Sequence, residues 1–207
     1  MKAGFAVAVA LLALLGLSTA PAMAQAGGVG TAARGTLVVK ALTEKKVDKL
    51  PAGPLFWRVE SFDTLAQAQA AAGPLGLAAQ SNGKAWLFTL GPAGGSSSGG
   101  QKVTEIGPLP EVTASEYLLR INEASGPPGA ITPAHSHPGA EAAYVLAGEQ
   151  TFRTPHGAKR LAAGQAAAGH APDTPMQASS TGSVDLRALI MFLVDANKPF
   201  SKPATMP

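Results

Sequence analysis

Two histidines and a glutamate form the densest chemical grouping in the sequence. His135 and His137 stand two residues apart, so on an extended segment both imidazoles leave the same face. Pro138-Gly139 then bends the chain, and Glu141 opens the β-forming run Glu141 to Ala147. Two imidazole nitrogens and a carboxylate can thus converge on one point, a donor set suited to Fe, Mn, Zn, Ni or Cu. Three protein ligands leave positions open for water or substrate, which catalytic metals need.

The spacing around these residues extends further. Gly129, His135, His137, Glu141 and Gly148 together match G-x5-H-x-H-x3-E-x6-G, and this run resembles the first signature motif of the cupin superfamily. The resemblance implies a mainly β fold, a double-stranded β-helix (jelly-roll) barrel, with a divalent metal inside it. It also implies a second motif, G-x5-P-x-G-x2-H-x3-N, that supplies one more histidine. Gly164 is a sensible start for that motif, but Pro175 is followed by Met176 where the family has His.

Three arrangements answer this departure. The site holds three protein ligands and a water, which ranks first because a Met on a strand is more often core filler than ligand. His170 reaches in from a displaced loop, or equally lies at the barrel rim. Met176 itself ligates, which would favour a soft ion such as Cu(I). The metal candidates are therefore His135, His137, Glu141 and Met176. The candidate substrate contacts are Arg120, Tyr144 and His170. Arg120 could offer its guanidinium fork to a substrate carboxylate or face outward. Tyr144 and Phe152 could be pocket walls or ordinary core. His156, between Pro155 and Gly157, reads as a solvated turn residue.

The elements that must position these residues follow from the pattern. Strands are expected at 37–42, 56–60 and 84–90, with one helix over 64–72 capped by Asp63 and stopped by Gly73-Pro74. The segment 91–100 (Gly-Pro-Ala-Gly-Gly-Ser-Ser-Ser-Gly-Gly) reads as a flexible loop. Beyond Val103 short β-prone runs recur at 116–123, 141–147, 150–153, 158–162, 175–179 and 184–194, separated by turn residues, as in a sandwich or barrel. The expected organisation is a signal peptide at 1–24, an N-terminal α+β extension at 25–102, the barrel at 103–197 and a C-terminal tail at 198–207. Trp57 and Trp86 are expected to anchor the extension to the barrel.

Lys2, the apolar run from Phe5 to Leu17 and Ala22-Met23-Ala24 have the form of a secretory signal cleaved before Gln25. The run is shorter than the about 20 apolar residues of a membrane span. An exported location, periplasmic or secreted, is expected. The chain has 207 residues and no cysteine, which excludes disulfides, thiolate metal sites and cysteine nucleophiles. Past the signal, 15 basic residues face 13 acidic ones with no basic stripe, so nucleic acid is not an expected partner. The sequence carries no Walker A loop, no strand–GxGxxG–helix unit and no G-x-S-x-G elbow.

The expected function is a metal-dependent enzyme of dioxygenase, isomerase or lyase type acting on a small oxygenated substrate. The alternative is a module that binds a metal or small ligand without turning it over. Third comes a metal-free barrel used as an interaction surface. Cupin-like proteins are often dimers, so the resemblance also raises a homodimer.

Overall fold

The computed structural model describes Met1 and residues 35–206. The expected signal peptide and the segment that follows it, up to residue 34, lie outside the described residues. In chain order the elements are β1 (Val38–Val47), β2 (Phe56–Phe62), α1 (Leu65–Ala71), β3 (Gly76–Ser81), β4 (Lys84–Gly91), β5 (Gln101–Ile106), β6 (Tyr117–Gly126), β7 (His135–Ser136), β8 (Gly139–Ala147), β9 (Glu149–Thr154), β10 (Gly157–Ala162), β11 (Ala166–Ala168), β12 (Gln177–Ser180), β13 (Leu186–Asp195) and β14 (Lys202–Pro203).

A five-stranded sheet, β1-β6-β13-β8-β11, faces a three-stranded sheet, β10-β9-β12. All of their pairings are antiparallel, and together they form the jelly-roll barrel. A separate four-stranded sheet, β3-β4-β2-β5, lies against the outer face of the five-stranded one. The short pair β14-β7 joins the C-terminal tail to the segment that carries His135.

The central strand β13 explains the longest apolar run beyond the signal. Its even residues Ala188, Ile190, Phe192 and Val194 point into the barrel, among Val145, Phe152, Leu161 and Ala178. Its odd residues Leu189, Met191 and Leu193 point outward, among Trp57, Val59, Trp86 and Phe88 of the four-stranded sheet. A strand buried on both faces cannot alternate apolar with polar, so it reads as a continuous apolar stretch. Each such side chain contributes about 1.5–3 kcal/mol by leaving water. Both tryptophans sit in this shared core, with Trp86 Nε1 donating to the Ser81 carbonyl at 3.0 Å.

Three expectations change. The boundary expected at 102/103 is crossed in both directions: β1 pairs with β6 inside the barrel sheet, and β5 pairs with β2 in the four-stranded sheet. Strand pairing follows hydrogen-bonding edges, which composition does not reveal. The helix is capped by Thr64, not Asp63. Thr64 Oγ1 accepts from Gln67 N at 3.2 Å and Gln67 Oε1 accepts from Thr64 N at 3.0 Å, a reciprocal capping box. The Gly/Ser loop is tied down from below: Glu60, fully buried, accepts from Ser97 N and Ser97 Oγ at 2.7 Å each, and Arg58 Nη1 donates to the Gly94 carbonyl at 3.1 Å. Among the described residues no helix is long and apolar enough to cross a membrane.

Candidate functional site

The site sits inside the barrel, where alternation on β8 decides which side chains reach it. Glu141, Ala143 and Val145 point inward, while Ala142, Tyr144 and Leu146 point to the four-stranded sheet. Gly129 and Gly148, the outer residues of the motif, adopt φ of 84° and 72°, a left-handed conformation that side-chain-bearing residues rarely accept. They turn the chain into and out of the segment that holds His135, His137 and Glu141. β7 keeps the two histidines adjacent: the rings stand edge to face with centroids 5.0 Å apart.

Both histidines are oriented through Nδ1. His135 Nδ1 lies 2.8 Å from the Pro133 carbonyl and His137 Nδ1 lies 2.7 Å from the Phe200 carbonyl. A carbonyl only accepts, so each Nδ1 carries the hydrogen, and in the neutral ring Nε2 keeps its lone pair. His137 Nε2 stands 3.7 Å from Glu141 Oε2. That oxygen is buried and has no hydrogen-bond partner among the described residues. Burial pushes the Glu141 carboxyl up to about 8. Burial pushes His137 down to about 4, against the opposing pull of the Phe200 carbonyl. At neutral pH without a cation both groups are therefore largely uncharged, and their contact is not an ion pair.

Among the described residues, no three His, Asp or Glu side chains already close into a cage. His137 and Glu141 stand together, and the half-buried His135 ring lies beside that of His137. The donor set nevertheless suits a metal. Two unprotonated Nε2 atoms and an orphaned carboxylate oxygen line one cavity, and backbone carbonyls hold both rings by their far nitrogens, as metal-binding histidines are usually held.

Met176 lies where the second motif implies a ligand. It forms a two-way backbone bridge with His135 (3.0 and 2.8 Å), is buried, and lines the same cavity. The three substrate candidates do not reach it. Arg120 lies on the cavity side of β6 but is engaged: Nε donates to Asn122 Oδ1 at 3.0 Å, Nη1 is 3.5 Å from Glu44 Oε2, and the guanidinium stacks 4.3 Å from the Phe200 ring. Tyr144 is on the wrong face of β8 and packs edge-on against Trp86 at 6.5 Å. His170 packs against Phe152 at 6.2 Å in a separate small crevice with Lys159, which with burial lowers its pKa.

The cavity measures about 410 Å3. Its far wall is one that the sequence reading left as a plain tail. The Phe200 ring stacks at 4.8 Å on His137 and 4.9 Å on Phe192, and Ser201 and Pro203 complete the wall. A lone aromatic between two prolines in Lys198-Pro199-Phe200-Ser201-Lys202-Pro203 was the available signal. Asn122, also missed, shares the face of Arg120 two residues along β6 and lines the cavity.

No family model matches the chain, and no curated protein is similar to it. Solved structures similar to it include a cupin-like protein from Thermotoga maritima (18% identity, covering 42% of this chain and 65% of that one, TM-score 0.38). A polyketide cyclase from Streptomyces resistomycificus gives 19% identity over 43% and 62%, with TM-score 0.36. A DMSP lyase from Ruegeria pomeroyi gives 28% over 42% and 43%, with TM-score 0.36. In each case the chain spans less than two thirds of the length of the structure it matches.

Proposed function

We propose that this chain, which has the fold of the cupin superfamily, is an exported protein that binds a divalent metal at His135, His137 and Glu141 and uses it on a small oxygenated molecule. The observation that carries the reading is His137 Nε2 3.7 Å from the orphaned Glu141 oxygen, with the His135 ring beside His137 on the same cavity. A buried carboxylate oxygen without a partner is costly, and a cation beside it would remove that cost. When bound, such a metal supplies Lewis acidity to a substrate oxygen.

The chain's own residues do the rest. The Phe200 and Pro133 carbonyls hold the imidazole tautomers, so that Nε2 of each ring is available. Burial excludes water around Glu141, which gives up its proton to become a ligand. Phe192 and Phe200 wall the cavity against solvent. Chemistry of dioxygenase, isomerase or lyase type is compatible with this arrangement.

One observation favours the second reading, a binding module. Among the described residues the cavity's titratable side chains are His135, His137 and Glu141, so a metal that takes all three leaves none of them to move a proton.

A Met176→His variant tests the placement of the site. Met176 lies beside His135 in the cavity wall, so an imidazole there should tighten Zn or Mn binding tenfold or more by competition against a chelator. Unchanged affinity would remove Met176 from the metal's surroundings. Mass measurement of the exported protein should show a chain beginning at Gln25; a retained N-terminus would remove export from the proposal.

A further inference from the structure

The cavity beside the candidate metal ligands selects its occupant by what its walls lack. Leu37, Val39 of β1, Ala124 of β6, Ala178 of β12, and Ile190 and Phe192 of β13 give the cavity an apolar lining. Among the described residues no Lys or Arg lines it. The nearby cation, Arg120, is spent on Asn122, Glu44 and the Phe200 ring. Away from the metal candidates, an anionic group would be desolvated against these walls without a counterion, which is strongly unfavourable. A polyhydroxylated ligand fares no better, because most of its hydroxyls would face hydrocarbon.

One polar group in the wall is placed to orient a ligand. Asn122 is 2% exposed and lines the cavity. Its Oδ1 accepts from Arg120 Nε at 3.0 Å. A guanidinium only donates, so this contact fixes which way the amide lies and leaves the Asn122 Nδ2 hydrogens as the donor still to be used. Thr132 Oγ1 accepts from Ala178 N at 3.0 Å, and its hydroxyl and that of Ser201 are the further polar groups in the wall. The volume of about 410 Å3 lies within the range of small-molecule sites.

We infer that this cavity takes an uncharged, largely apolar molecule that carries one carbonyl or hydroxyl oxygen, accepted from Asn122 Nδ2. This rests on the reading of the cavity as the working site and narrows its substrate to neutral, oxygenated hydrocarbon-like compounds. A ligand whose charged or hydroxyl groups are spread along its length, such as a sugar phosphate, is the wrong chemistry for these walls.

The test uses the full mature chain, stripped of metal by a chelator, and four probes followed by fluorescence titration. 2-Acetylnaphthalene is neutral with one acceptor, 2-ethylnaphthalene lacks the oxygen, 2-naphthoate carries a charge at the same size, and glucose 6-phosphate is polar. The ketone should bind at least tenfold more tightly than naphthoate and about fivefold more tightly than the hydrocarbon, a margin typical of one neutral hydrogen bond. Glucose 6-phosphate should not bind. Asn122→Leu should bring the ketone down to the hydrocarbon's affinity and leave the hydrocarbon unchanged. Ala178→Phe should weaken both by filling the cavity. If Asn122→Leu does not fold, the wild-type probe series alone decides.

Naphthoate binding as tightly as the ketone, or no naphthalene probe binding, overturns the inference. Because the protein is metal-free in this assay, that failure is separate from a failure of the metal reading, which metal content decides.

Discussion

Removing residues 199–207 should loosen a bound divalent metal about 10- to 100-fold, whereas Phe200→Ala should change it less than about 5-fold. The two perturbations separate two roles of one residue. The Phe200 carbonyl accepts from His137 Nδ1 at 2.7 Å and sets the tautomer that leaves Nε2 free. Its ring packs at 4.8 Å on His137 and 4.9 Å on Phe192, beneath the Arg120 guanidinium at 4.3 Å. Alanine keeps the carbonyl and removes the ring. Two ring pairs at about 0.5–1.5 kcal/mol each and a cation–ring contact at about 0.5–1 kcal/mol put the stability lost in Phe200→Ala at about 1.5–4 kcal/mol.

Truncation removes ring and carbonyl together. His137 then loses its fixed partner, and the tenfold to hundredfold penalty corresponds to about 1.4–2.7 kcal/mol of metal binding. Urea unfolding of the metal-free protein reads the first quantity, and competition with a chromogenic chelator at neutral pH reads the second. The reasoning is refuted if the truncated chain binds metal as tightly as the full one, or if Phe200→Ala weakens binding as much as truncation does.

Other outcomes follow from buried groups. Glu141, raised to about 8 by burial, is protonated in the folded metal-free protein but ionised in the unfolded chain above its ordinary value of 4.5. It therefore costs stability increasingly as pH rises from that value toward 8. Glu141→Gln should stabilise the metal-free protein by about 2 kcal/mol at neutral pH, with the gain vanishing near pH 4.5 and metal binding lost; denaturant titration across pH reads it. Glu60 runs the other way. Burial raises its pKa, but hydrogen bonds from Ser97 and Arg58 outweigh burial and hold it below 4.5. Its contribution is present above that value and lost as pH falls through the lowered pKa. Glu60→Gln should cost about 2–3 kcal/mol and flatten the acid limb of the stability profile, and limited proteolysis should then cut within 91–100. A Cβ added at Gly169 would land on the Glu141 carbonyl oxygen. Gly169→Ala should therefore lower stability by about 1–3 kcal/mol and weaken metal binding in the same titrations.

Much of this architecture was legible because short-range rules governed it. The spacing of Gly129, His135, His137, Glu141 and Gly148 encodes a turn, a two-residue alternation and a return turn, and the structure puts His135, His137 and Glu141 on one cavity with the two glycines in the turns on either side. Counting alone put Met176 where the second motif has its histidine, and its backbone pairs with that of His135. Tyr144 could have been excluded from the pocket by the same alternation that points Glu141 inward. What was not legible depends on distant partners. Arg120 is drawn away by Glu44 and Phe200, residues far along the chain. The capture of β1 by β6 and the folding of the tail over His137 are long-range pairings that no local pattern announces.

Metal content per chain, by elemental analysis of the mature protein beside a His135→Ala/His137→Ala variant after reconstitution with Fe, Mn, Zn, Ni and Cu, tests the central claim most directly. The account predicts about one metal ion per wild-type chain and none in the variant. No metal in the wild-type protein, or equal metal in both, would contradict it.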